Sequence, residues 1–261
     1  MRKNRPFLEL FATSLKEDYS LPILEVFAFF FVFGAFIFTI TAMQSIETGE
    51  VFAYRLANSL CGMPLFIFII LVLKNISYGI GSDLERGTIQ TFLSYPLKRR
   101  MILTAKLLSA LGVATALFLA TQIFALCIVA PEVIPTYLTT VILTYVANLC
   151  YPMLISGILL LFVLVLKKGG LALGVGILTY FVVLILSSLA FFISGSDIAI
   201  KTYAVINPSL ALQMHYESKS SYYVVWAPSF SEVMLYIAAG YALVFLVFTI
   251  GYTYFQRRLG V

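Results

Sequence analysis

This chain is poor in charge. Asp, Glu, Lys and Arg make up 11% of its 261 residues, where a water-soluble domain carries about 25%. Hydrophobic residues make up 61%, against about 45–50% in soluble domains. Too few polar side chains remain to cover a globule in water, so the excess apolar surface requires lipid. Histidine occurs once, at His215. A hydrolytic centre inside a membrane needs a nucleophile with its base, paired acids or a metal-ligand set. The apolar runs contain no aspartate and no mid-run pair of acids, which argues against an intramembrane enzyme. The three cysteines, Cys61, Cys127 and Cys150, fall within apolar runs and read as small buried hydrophobes rather than a disulfide or metal set. A G-x-x-x-x-G-K-[ST] phosphate loop is missing, so nucleotide hydrolysis by this chain is not expected. No polar tract has the length of a separate soluble domain. The charged first 20 residues, followed by a long apolar run, do not fit a cleavable signal peptide.

What is present is a series of long, continuous apolar runs. About 20 apolar residues cross the hydrocarbon core as a helix. Six spans are expected, at about 22–43, 59–80, 102–129, 137–166, 171–193 and 233–255. The runs do not alternate with period two, so they are helices and not barrel strands. Ahead of them, Phe7, Leu8, Phe11 and Leu15 recur at helical spacing with Glu9, Thr13, Lys16 and Glu17 opposite. That pattern predicts an interfacial helix over about 5–19. The expected fold is an all-α integral membrane protein forming a single transmembrane domain over 1–261.

Basic residues alternate in density along the chain. Of the 17 Lys and Arg, all but Arg55, Lys201 and Lys219 lie before span one, around the 81–101 loop, at Lys167-Lys168 or after span six. The positive-inside rule then places both termini in the cytoplasm, and the net charge of +5 suits an anionic inner leaflet rather than nucleic acid. The longest outside segment, about 194–232, contains Pro208 and Pro228, which interrupt helices, and Tyr222, Tyr223 and Trp226, which suit the membrane interface.

The charge concentrates in "GSDLERGTIQTFLSYPLKRRMILTAK", Gly81 to Lys106. Ser82 and Glu85 have the spacing of a capping box. Gly87 permits a sharp turn, and Thr88 is a reasonable N-cap. Ile89, Phe92 and Leu93 share one apolar face, and Pro96 ends that helix. The composition by itself also fits an anchored loop with basic residues facing lipid.

The order Glu85-Arg86-Gly87-Thr88, Leu93, Pro96, Arg99, Lys106 resembles the signature of ABC-2 type permeases, the membrane subunits of ATP-binding-cassette exporters. Lys98 departs from it, since the family usually carries Ser or Thr there. Six spans, cytoplasmic termini and Asn207-Pro208 early in the last outside loop extend the resemblance along the chain. It implies that loop 81–101 carries a cytoplasmic coupling helix that docks on an ATPase subunit through Glu85, Gly87, Thr88, Ile89, Phe92, Leu93, Pro96 and Arg99. Glu85 and Arg99 offer contacts to the ATPase or to each other, and Arg99 also to lipid phosphate. The resemblance implies two separate cytoplasmic ATPase subunits that bind ATP and Mg, a second permease subunit (a homodimer being simplest), membrane lipids as surroundings and the cell membrane as location.

Polar residues within the spans are few: Gln122, Asn148, Ser187 and Ser188, with Pro152 expected to bend span four. They are candidates for a substrate path or for hydrogen bonds between helices. Gly170 and Gly174 form a small-xxx-small motif suited to close helix packing. A path without fixed charge suits an apolar or amphipathic cargo or a neutral polymer, among the lipids, drugs, glycans and peptides the family handles. An ion-driven carrier would show intramembrane acids or broken helices. A structural subunit that retains the permease fold without transporting is the other reading.

Overall fold

A computed structural model describes residues 5–20, 23–43, 48–89, 91, 98–194, 197–220 and 224–258. Among the described residues the chain is all-helical, with no strand. We number the helices α1 (Arg5–Asp18), α2 (Ile23–Met43), α3 (Gly49–Glu85), α4 (Arg99–Val129), α5 (Leu138–Leu166), α6 (Gly169–Ser194), α7 (Asp197–Ile206), α8 (Pro208–Glu217) and α9 (Phe230–Arg258). Helices α3, α4, α5, α6 and α9 are each long and apolar enough to cross a membrane. A sixth crossing is reached when α1 and α2, which meet at 68°, are taken together. The protein is therefore built to be embedded in a membrane.

Helix α3 starts and ends beyond the expected 59–80. Glu50 and Arg55 dilute hydropathy at its start, yet the chain is helical from Gly49, whose φ of 74° makes the turn into the helix. Its 37 residues extend about 55 Å at 1.5 Å per residue, so both ends outreach a hydrocarbon core of about 30 Å. Pro64 and Pro152 both lie inside continuous helices, in α3 and α5. The α5–α6 connection is short, and Lys167 closes α5 in the left-handed region at φ 53°.

Helices α3 and α5 form the centre. In their apolar windows 61% and 67% of residues are buried, against 17% in α6 and 22% in α9. The outer helices therefore turn apolar side chains such as Phe29, Leu178, Phe245 and Leu246 outward. In water such a surface would be prohibitive, whereas lipid is as apolar as the side chains themselves.

Residues 197–217 are not a plain loop. Helices α7 and α8 have 10 residues each, about 15 Å, half of what a crossing needs. They form a hairpin with Pro208 at the first turn of α8, where its missing N–H leaves no bond unmade. The apex reaches Gly240, about three turns into α9. A Cβ on Gly240 would lie 2.7 Å from Cys150 Sγ and 2.8 Å from Pro208 Cγ. The hairpin is held by a second core of Tyr54, Ala147, Ile200, Leu212, Tyr216 and Val233, with Tyr54 and Tyr216 stacked at 4.7 Å. Trp226, expected at the membrane interface, is instead buried in this core, edge-on to Tyr236 and beneath Lys201. His215 is buried as well, and its Nδ1 donates to the Pro228 carbonyl at 2.8 Å. Tyr222 and Tyr223 lie outside the described residues.

Two helices contain a π turn, Ser77–Gly81 in α3 and Leu108–Val113 in α4. A π turn inserts a residue into the helix and redirects the carbonyls around it. Both turns pack against α1.

Candidate functional site

The buried stripe of α1 is Leu10, Ser14 and Asp18, flanked by Phe7, Phe11 and Leu15. Leu8, expected on the apolar face, is 58% exposed. Leu10 packs with Ile102 and Ala105 at the start of α4. This docking carries Asp18 into the gap between the two π turns. Ser109 Oγ donates to Asp18 Oδ2 at 2.5 Å, and Lys74 Nζ donates to the Asp18 carbonyl and to Asn75 Oδ1, both at 2.9 Å. The Tyr19 hydroxyl donates to the carbonyl of Ala110 at 3.2 Å. Gly79 leaves room for the carboxylate, since a Cβ there would lie 3.0 Å from Asp18 Oδ1.

Lys106 closes the arrangement. Its Nζ lies 2.5 Å from Asp83 Oδ2 and 3.7 Å from Glu17 Oε2, and it donates to the Gly79 carbonyl at 3.0 Å. That carbonyl belongs to the π turn, where the regular bonding ladder is interrupted. The Lys106 side chain is 4% exposed, so α1, the end of α3 and the start of α4 meet at one buried cation. Burial raises the Asp18 carboxyl to about 6, outweighing the Ser109 hydrogen bond and the Lys106 and Lys74 charges that act the other way.

The same end of α3 is clamped on its far side. A Cβ on Gly81 would lie 2.7 Å from Gly169 Cα, and one on Gly169 would lie 2.7 Å from the Ser77 carbonyl. The two backbones therefore touch. The Gly169 N–H at the start of α6 donates to Glu85 Oε2 at 3.3 Å. Glu85 thus places negative charge at the N-terminus of a 26-residue helix, where unpaired amides and the helix dipole favour it. Two expectations are corrected here. The capping box of Ser82 and Glu85 does not form, because the helix runs unbroken through the π turn and Ser82 is already helical. Gly170 and Gly174 have no neighbour within 4 Å of a Cβ, so the close approach belongs to Gly169.

Beyond Glu85 the chain turns at Arg86-Gly87, with Gly87 at φ 74°. Thr88 and Ile89 are helical, and Ile89 is 2% exposed. Phe92, Leu93 and Pro96 lie outside the described residues. Lys98 is extended and precedes α4. Arg99 turns toward α9, where Nη1 donates to the Gln256 carbonyl at 3.1 Å. Glu85 and Arg99 thus have separate partners on α6 and α9.

Of the candidate path residues, Gln122, Asn148 and Pro152 are buried within the chain. Gln122 is fully buried, and neither amide atom has a hydrogen-bond partner. Asn148 donates to Asn58 Oδ1 at 3.0 Å and to the Thr144 carbonyl at 2.9 Å. Pro152 is buried in α5, and its carbonyl accepts from Ser156 Oγ at 2.6 Å. Ser187 and Ser188 lie on α6. Among the described residues no three His, Cys, Asp or Glu side chains converge as metal ligands.

The sequence reading missed Asp18, Lys74, Asp83 and Ser109. The available signal was the i, i+4, i+8 stripe of Leu10, Ser14 and Asp18, which puts an acid on the buried face of α1. No family model matches the chain, and no curated protein matches it.

Proposed function

We propose that this chain is the permease subunit of an ABC-2 type exporter, driven by separate cytoplasmic ATPase subunits. The observation that carries the reading is the way the two stems of loop 86–98 are clamped. Lys106 ties the end of α3 and the start of α4 to α1. Glu85 and the Gly81–Gly169 contact tie α3 to α6. A push on the loop would reach three long helices through the buried Lys106 side chain and the backbone contact of Gly81 with Gly169. This supports a coupling role beyond what the residue pattern Glu85, Gly87, Thr88, Leu93, Pro96, Arg99 and Lys106 supplies. In this reading α1 lies along the inner membrane surface, α2 is the first span and both termini are cytoplasmic. Phe92 and Leu93 anchor the loop in the ATPase, Ile89 holds the base of the loop against this chain's own core, and Gly87 and Pro96 set its direction. Two permease subunits and two ATPases complete the transporter, and ATP and Mg belong to the ATPases. The cargo class that suits spans without fixed charge is apolar, amphipathic or a neutral polymer.

The test is capture of the cognate ATPase with the tagged permease, wild type against Leu93→Asp. Capture and nucleotide hydrolysis should both fall in the variant while membrane insertion is unchanged. Equal capture and hydrolysis would remove the loop from the coupling role. Capture of an ATPase whose hydrolysis drives no transport would make the chain a structural subunit.

A further inference from the structure

The face of the bundle between α4 and α9 has a groove that no step above uses. Its volume is about 620 Å³ and it is open along one side, within the ~300–1,000 Å³ typical of ligand pockets. Leu108, Gly112 and Ala116 of α4, Met153 of α5 and Phe248 of α9 line it. The π turn Leu108–Val113 forms part of its wall. Small residues at 112 and 116 keep it open, and Leu108 is 47% exposed within it.

One end of the groove is polar. Thr104 and Tyr252 close it through hydroxyls 3.1 Å apart. One turn further on, Gln256 gathers two guanidinium groups. Its carbonyl accepts from Arg99 Nη1 and its Oε1 accepts from Arg100 Nη2, each at 3.1 Å. Arg100 and the adjacent Arg257 are exposed. An apolar slot with arginines at one end has the form of an acyl chain with an anionic head. Guanidinium forks match phosphate oxygens, and basic pockets between membrane helices hold anionic headgroups.

We propose that this groove binds one anionic phospholipid, its acyl chain against Leu108, Gly112 and Ala116 and its phosphate on Arg100 and Arg99. The lipid comes from the leaflet that faces loop 86–98. A second copy of the chain is disfavoured as occupant, because a twofold axis along the membrane normal would bring both arginine clusters together at one level, and like charges oppose such a contact. The inference rests on the membrane placement of α4, α5 and α9 and not on ATPase coupling.

The test is native mass spectrometry of the full chain in detergent, supplied with equal amounts of phosphatidylglycerol and phosphatidylcholine of matched chains. Wild type should retain one phosphatidylglycerol in preference. Arg100→Gln should reduce that preference about fivefold, as one arginine near an anionic headgroup contributes. Ala116→Phe, at an exposed position that places no bulk in the core, should abolish the retained lipid. Lys168→Gln, at the start of α6, should change nothing, and inorganic phosphate should not compete. The proposal is overturned if the two lipids are retained equally, if Ala116→Phe keeps the adduct, or if Ala116→Phe splits a dimer while lipid retention stands.

Discussion

Replacing Lys106 by Met tests the ionic junction beneath α1. Methionine keeps most of the side-chain volume and removes the charge. Asp83 Oδ2 at 2.5 Å, the Gly79 carbonyl at 3.0 Å and Glu17 Oε2 at 3.7 Å then lose their cation. Removing one partner of a buried ion pair costs about 3–5 kcal/mol. Here the lower end, about 3 kcal/mol, is expected, because Asp83 and Glu17 retain 17% and 54% exposure and regain some water. In a chain of this size that is a fall in Tm of about 6–12 °C. The assay is thermal stability of purified protein followed by size-exclusion chromatography. Lys16→Met, an exposed lysine on the same helix α1, is the control and should move Tm little. The double variant Lys106→Met/Asp83→Leu should recover most of the loss, because an apolar pair of similar size replaces a buried ion pair at little cost. If Lys106→Met loses no more than Lys16→Met, the junction does not hold α1 to α3 and α4.

Further outcomes follow from the same geometry. Asp18 takes up its proton near pH 6 in the folded protein and near 4 when unfolded. The folded state therefore binds the proton more tightly, and stability falls as pH rises from about 4 to about 6. Asp18→Asn should remove that part of the slope, read as the difference in Tm between variant and wild type from pH 4.5 to 7.5, with Ser109, Lys74, Lys106 and Glu17 left in place. Gly169→Ala should sharply reduce monodisperse protein, since its Cβ would lie 2.7 Å from a backbone carbonyl. Gly170→Ala, one residue away with open space around it, should be silent in the same chromatogram. Gln122→Leu should raise Tm, because burying an amide without partners costs about 1–3 kcal/mol; a simultaneous loss of transport would place Gln122 on the substrate path.

The long apolar helices were legible in the sequence because lipid allows little else: unbroken apolar runs must satisfy their own backbone bonds. Their edges were less so. Residues 49–58 fall outside the expected span two because Glu50 and Arg55 lower hydropathy, although neither opposes a helix. Helices α7 and α8 are hard to see in the sequence, since each is half a crossing long and Pro208 looks like a break rather than the first turn of a new helix. The turn at Gly87 was visible, because its φ of 74° is one that glycine alone adopts easily. The bond from the Gly169 N–H to Glu85 is not legible, because nothing local shows that α6 begins beside that carboxylate. The Asp18–Lys106 junction needs three segments far apart in sequence and two π turns, and no local pattern encodes a π turn. The Gly170–Gly174 motif misled for a related reason: spacing gives a face, but only the neighbouring helix decides which glycine lies against it.

The most direct measurement is photocrosslinking from a light-activated residue at position 93 in the assembled membrane complex. Loop 86–98 acting as the coupling element requires a crosslink to the cytoplasmic ATPase whose yield changes when nucleotide is bound and hydrolysed. Crosslinks to lipid alone, or to the ATPase with a yield indifferent to nucleotide, would contradict it.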